Sequence, residues 1–201
     1  ASGDAHYEIV RDVAWDAIPA SAAALAHAAQ AGALIFGSLA ARSPENRVSL
    51  ARLVAALPAT ALRVFDVNLR PPFDDTARVG ELARHANVLK LNADEAARLA
   101  GSADASPSAL EAHARRLAND YRIPVVVVTA AASGAGLLRA GRWQWENGRP
   151  VQVADTIGAG DAFLARFVAG LLRRENDIAR LLAQACRVGE WVATQRGATP
   201  T

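Results

Sequence analysis

Along most of this chain, short apolar runs take turns with longer segments of mixed polarity. The runs Ala33–Phe36, Leu62–Val67, Val88–Leu91 and Val125–Thr129 are largely apolar and bounded by turn residues. That pattern predicts parallel strands covered on both faces. Helical segments are predicted at Ser21–Gln30, Pro44–Leu57, Thr76–His85, Ala93–Ala100 and Ser108–Tyr121. Asn92 and Asp94 suit the start of the fourth, and Ser106-Pro107 opens the fifth. The rhythm then changes. Leu137–Arg139, Trp143–Trp145 and Val151–Val153 are separated by Gly-containing turns at 140–142 and 147–149, which predicts antiparallel hairpins at a sheet edge. Two long helices follow, at Gly160–Arg173 and Asn176–Gln195. In the first, Phe163, Phe167 and Leu171 recur every four residues as a docking face. Repeated β-α units imply a three-layer α/β/α sandwich around a mostly parallel sheet. No repeat or linker interrupts residues 1–201, so a single domain is expected. Residues 7–16 read as the end of a strand running into a helix.

Composition narrows the function classes. The chain has 201 residues, 52% of them hydrophobic, ample for a packed core. A net charge of +2 gives no reason to expect a nucleic-acid partner. The lone Cys186 excludes an intrachain disulfide and fits a reducing, cytoplasmic setting. His6, His27, His85 and His113 lie too far apart for zinc-ligand spacing. Residues 17–41 carry no charge, but Gly32 divides them into an Ala-rich helix and a short strand. No membrane span is therefore expected. Asp4, His6 and Glu8 argue against a secretory signal. Methionine is absent, so residue 1 is not expected to be a translation start.

Open α/β sheets bind ligands at the carboxyl ends of their strands. The polar residues after the apolar runs fall there: Asp66, Asn68 and Arg70, then Lys90, Asn92 and Glu95, then Thr129. The run Asp155-Thr-Ile-Gly-Ala-Gly-Asp-Ala-Phe163 adds a small-residue turn at the start of a helix. Backbone N–H groups of Gly158, Ala159 and Gly160 can close on an anion, with the helix macrodipole behind them. Asp161 would stand beside that anion as a proton acceptor. A Gly turn capped by Asp is the plainer reading of the same residues.

Taken together, these blocks resemble the ribokinase-like (PfkB) carbohydrate and nucleoside kinases, whose C-terminal signature is D-T-x-G-A-G-D-x-F. Phe65–Arg70 is similar to the D-x-N-x-R block of the fructokinase-like branch, and Lys90–Glu95 to the N-x-x-E motif. Val125–Gly134 is similar to the strand and loop carrying T-x-G-x-x-G, and Arg196-Gly-Ala198 to a C-terminal R-G-A element. The resemblance implies ATP-dependent phosphorylation of a sugar hydroxyl. Asp161 would be the base, and 158–160 the hole for the γ-phosphate. Asn92 and Glu95 would serve Mg²⁺-ATP, Glu95 through water, or form a capping box. Thr129 and Gly134 would line phosphates and ribose, with Ala185 and Cys186 bordering adenine. Asp155 and the Ile157 backbone would hold K⁺, or Asp155 would form an Asx-turn. Arg70 would face phosphate or an acidic sugar, or make an exposed salt bridge.

Two departures stand out. Ala131 occupies a position where the family pattern has Gly. The family's N-terminal elements, including the lid through which its dimers usually form, have no counterpart in this sequence. Homodimer formation is thus left open by the resemblance. A degenerate nucleotide-binding module that has kept the fold is the alternative reading.

Overall fold

The computed structural model describes residues 9–199. Six strands form one sheet in the order β1-β2-β3-β4-β5-β6: Ala33–Gly37, Leu62–Asp66, Val88–Asn92, Val125–Thr129, Gly134–Arg139 and Arg142–Asn147. The first four pair in parallel and the last two antiparallel. Among the described residues seven α-helices surround the sheet: α1 Ala22–Ala28, α2 Pro44–Ala56, α3 Thr76–Ala83, α4 Ala93–Leu99, α5 Leu110–Tyr121, α6 Ala159–Leu172 and α7 Ile178–Ala193.

Spatial order equals chain order through β4, so right-handed crossovers put α2 to α5 on one face. A core there joins Phe65, Leu89, Val126 and Val128 to Leu50, Val79, Leu110 and Leu117. On the opposite face Val64, Val88, Val127 and Leu137 meet Phe163, Phe167, Leu181 and Leu182 of α6 and α7. The period of two explains the split: Val127 points to one layer, Val126 and Val128 to the other. With both faces covered, β4 has no need of a polar side, and the three-layer arrangement follows.

Most helices begin on a side-chain cap. Ser21, Ser43, Asp75, Asn92 and Asp177 each accept an N–H of the first turn. In contrast, α6 is entered through Gly158 at φ +81° with no side-chain cap.

Three local expectations are corrected. Val151–Val153 forms no strand; β6 already ends the sheet at Asn147, and 148–158 crosses to the α6–α7 face as irregular chain. The hairpin strand β5 begins at Gly134, earlier than the apolar run suggests. Near the start, the described part of residues 7–16 contains only a 3-10 turn at Ala14–Asp16, and Tyr7 and Glu8 lie outside the described residues.

Candidate active site at the strand carboxyl ends

Two cavities flank the first turn of α6. One, of about 650 Å³, is lined by Asp161, Asn68, Arg70 and Gly37, with Ile9, Val10, Val13, Trp15, Leu39 and Ala40 as its apolar wall. The other, of about 600 Å³, is lined by Gly160, Ala159, Asn92, Thr129 and Gly134. Its apolar side includes Val151, Val153, Phe163 and Cys186. Consecutive residues thus face different chambers.

The turn between them is rich in free donors. Ala159 spends its N–H on the Thr156 carbonyl at 3.3 Å. Among the described residues the N–H groups of Gly158, Gly160 and Asp161 have no protein partner. The motif alone points to Ala159 as a donor and does not single out Asp161. The hydrogen bonds favour the reverse choice. Gly158 itself is packed under Ala198 and lines neither cavity.

Beneath this turn lies a buried ion pair. Lys90 Nζ donates to Asp66 Oδ1 at 2.9 Å, with each side chain 7% exposed. Burial pushes the Asp66 carboxyl above its ordinary value, Lys90 pulls it back, and nearby Asp161 adds to the rise. The sequence signal was available, since a lysine within Val88-Leu-Lys-Leu91 breaks a strand buried on both faces.

Glu95 faces neither cavity. Its Oε1 accepts the Leu69 N–H at 2.7 Å and its Oε2 the Asn92 N–H at 2.9 Å. Asn92 Oδ1 in turn accepts the Glu95 N–H at 2.8 Å, completing a capping box. Burial raises the Glu95 carboxyl against the pull of these two donors. The carboxylate braces the Asn68–Arg70 loop against the start of α4.

Asp155 is similarly occupied. Its Oδ1 accepts the Ile157 N–H at 3.0 Å, an Asx-turn, and its Oδ2 the Gly197 N–H at 3.2 Å. Arg70 makes no ion pair among the described residues; it donates to the Leu69 carbonyl at 3.0 Å. Thr129 Oγ1 donates to the Leu91 carbonyl. Ala185 is fully buried in the core, one position from the cavity that Cys186 lines. Burial lifts the Cys186 thiol to about 11, which makes it an apolar wall rather than a nucleophile.

Residues that sequence reasoning missed complete the walls. Trp15 is held by Arg42, whose guanidinium lies 4.4 Å from the indole and 4.3 Å from the Phe73 ring and pairs with Asp16 at 2.7 Å. Gly189 of α7 lets the Ala159 carbonyl approach to within 3.0 Å of where a Cβ would stand. Neither contact has a local sequence signature.

Residues 11–201 match the family described as pfkB family carbohydrate kinase. The chain belongs to this family. Within it, the chain is 30% identical over 167 residues to a fructokinase of Klebsiella pneumoniae, covering 77% of this chain and 52% of the relative. It is 32% identical over 145 residues to an aminoimidazole riboside kinase of Salmonella typhimurium, covering 67% and 43%. The chain therefore spans about half the length of the curated relatives it matches. Among solved structures, the fructokinase of Vibrio cholerae O395 in its fructose-, ADP- and calcium-bound form superposes with a TM-score of 0.68 at 28% identity. That match covers 83% of this chain and 56% of the other. The ribokinase-like α/β fold of this pfkB chain is thus shared with sugar kinases. No helix among the described residues is long and apolar enough to cross a membrane.

Proposed function

We propose that the protein carrying this chain transfers the γ-phosphoryl group of ATP to a hydroxyl of a sugar, in the manner of a fructokinase. One observation carries the reading: Asp161 faces one cavity and Gly160 the other, with unpartnered N–H groups between them. The acceptor would occupy the Asp161 chamber and ATP the Gly160 chamber. As the new O–P bond forms, Asp161 takes the hydroxyl proton. The bond from γ-phosphorus to the bridging oxygen breaks, and ADP leaves with that electron pair. The N–H groups of Gly160 and Asp161, at the positive end of α6, meet the charge of the transferred group.

Among the described residues no cluster of His, Cys, Asp or Glu could hold a metal by itself, so Mg²⁺ would enter with ATP, whose phosphates would supply most of its oxygen ligands. It would neutralise phosphate charge, with Asn92 at the chamber wall and Glu95 one layer behind. Asp155 fits K⁺ less well. Both of its oxygens already accept N–H groups, so no step is routed through a monovalent cation.

The reading is tested by ADP release from the full-length protein with fructose, ribose, 2-keto-3-deoxygluconate and nucleosides as acceptors. Turnover with at least one is expected, and none with any would count against it. The non-catalytic module is favoured by a single observation, the Cβ of Ala131 held at φ +46° in the wall of the ATP chamber. Tight Mg²⁺-ATP binding without transfer would support that alternative.

A further inference from the structure

Lys90 and Asp66 are not needed to explain the fold. The register of the sheet aligns Gly37, Asp66 and Lys90 across β1, β2 and β3, next to Val127 of β4. Val64, Val88 and Val127 face α6 and α7, so Asp66 and Lys90, two residues further along, face the same layer. They replace apolar side chains at the point where the row passes under the first turn of α6. Lys90 Nζ lies 3.4 Å from the position a Cβ on Gly160 would take. A buried ion pair is a poor source of stability, because desolvation consumes most of the attraction. Its position calls for another explanation.

We propose that Lys90 is a positioning residue for phosphoryl transfer. Its ammonium, pinned by Asp66, seats the first turn of α6 so that the Gly160 and Asp161 N–H groups and the Asp161 carboxylate stand at their working height. Gly160 leaves the ammonium close beneath the turn, since a Cβ there would already be in van der Waals contact with Nζ. The pair also fixes a positive charge behind a turn that must meet an anion, while Asp66 keeps the buried layer neutral overall. Asp161 adds to the rise of the Asp66 carboxyl, so displacing Lys90 would remove the cation that offsets the repulsion between the two acids. This inference rests on the reading of Asp161 and its turn given above.

The experiment uses the full-length protein, Mg²⁺-ATP and fructose, or the best acceptor of the panel. The double variant Lys90→Met with Asp66→Asn removes both charges at nearly constant volume. It is expected to fold and to bind a non-hydrolysable ATP analogue as the parent does. Its kcat should fall about 10- to 100-fold, the loss expected from misplaced reacting groups. A folded double variant with more than half the parent kcat would overturn the proposal.

Should the double variant not fold, Lys90→Arg decides. It keeps the charge and the pair but places a larger planar head beneath Gly160. A folded Lys90→Arg protein with kcat reduced at least about 10-fold and KM for ATP within about 2-fold supports the seating role. Parent-like kcat overturns it. Asp161→Asn is measured alongside. If that variant turns over normally, the underlying assignment fails. If it is inactive while the double variant is fully active, only the role of Lys90 fails.

Discussion

Gly158 lies directly against Ala198, and a Cβ on Gly158 would stand 2.7 Å from the Ala198 carbonyl oxygen. The turn entering α6 is therefore closed by the C-terminal segment, which Asp155 also ties down through Gly197. Gly158→Ala meets two obstacles, the φ of +81° and the Ala198 backbone. The left-handed conformation alone costs ~1–2 kcal/mol, and at ~2–4 °C per kcal/mol the melting temperature should drop by several degrees. Thermal unfolding of parent and variant checks this, and an unchanged Tm would mean the segment yields freely.

Ala131 sits at φ +46° in the 3-10 turn between β4 and β5. Glycine there relieves ~1–2 kcal/mol of left-handed strain and adds ~0.4–1 kcal/mol of unfolded-state entropy. Ala131→Gly should therefore leave stability unchanged or raise it by up to ~1.6 kcal/mol, with tighter ATP binding from the added room. Denaturant unfolding and calorimetric titration with an ATP analogue would read both. A clear loss of stability would contradict the strain.

Both oxygens of Glu95 accept backbone N–H groups, from Leu69 and Asn92. Glu95→Gln turns one acceptor into an NH₂ facing a buried donor, a loss of ~1–3 kcal/mol. The expected outcome is a lower Tm with the Mg²⁺ dependence of turnover kept. Loss of the Mg²⁺ response at unchanged Tm would assign Glu95 to the metal instead.

Arg42 holds the Asp16 carboxyl below its ordinary 3.8, chiefly by hydrogen bonding and against the effect of burial. A depressed carboxylate contributes stability above its unfolded value, and that stability is lost as pH falls through the folded one. Arg42→Gln should thus show a Tm deficit that is constant from about pH 7 to pH 5 and narrows below 3.8. It should also raise KM for the sugar, because Arg42 carries the Trp15 wall of the Asp161 chamber. A deficit that does not change on acidification would exclude the pair as its source.

Much of this architecture is legible in the sequence where one signal dominates. The apolar runs at Val88 and Val125 place β3 and β4 because a strand covered on both faces tolerates little else. Of the two readings of Asn92 and Glu95, Mg²⁺-ATP contacts or a capping box, the capping box forms, since that device is local. Val151–Val153 misleads, because alternation suits a strand but the chain must leave the sheet there to reach the far face. What escapes the sequence is contact across distance. The stack of Trp15, Arg42 and Phe73 and the meeting of Gly189 with Ala159 depend on tertiary packing with no spacing rule. The choice of Asp161 over Ala159 as free donor turns on one hydrogen bond to Thr156.

In the proposed reaction Asp161 removes the acceptor's proton while its turn holds the transferred group. Asp161→Asn in the full-length protein keeps the shape and the backbone N–H and removes the basicity. With an acceptor that the parent turns over, kcat is predicted to fall by ~10²–10⁴-fold while ATP affinity changes little. Turnover at the parent rate, with the variant folded and ATP bound as before, would contradict the account.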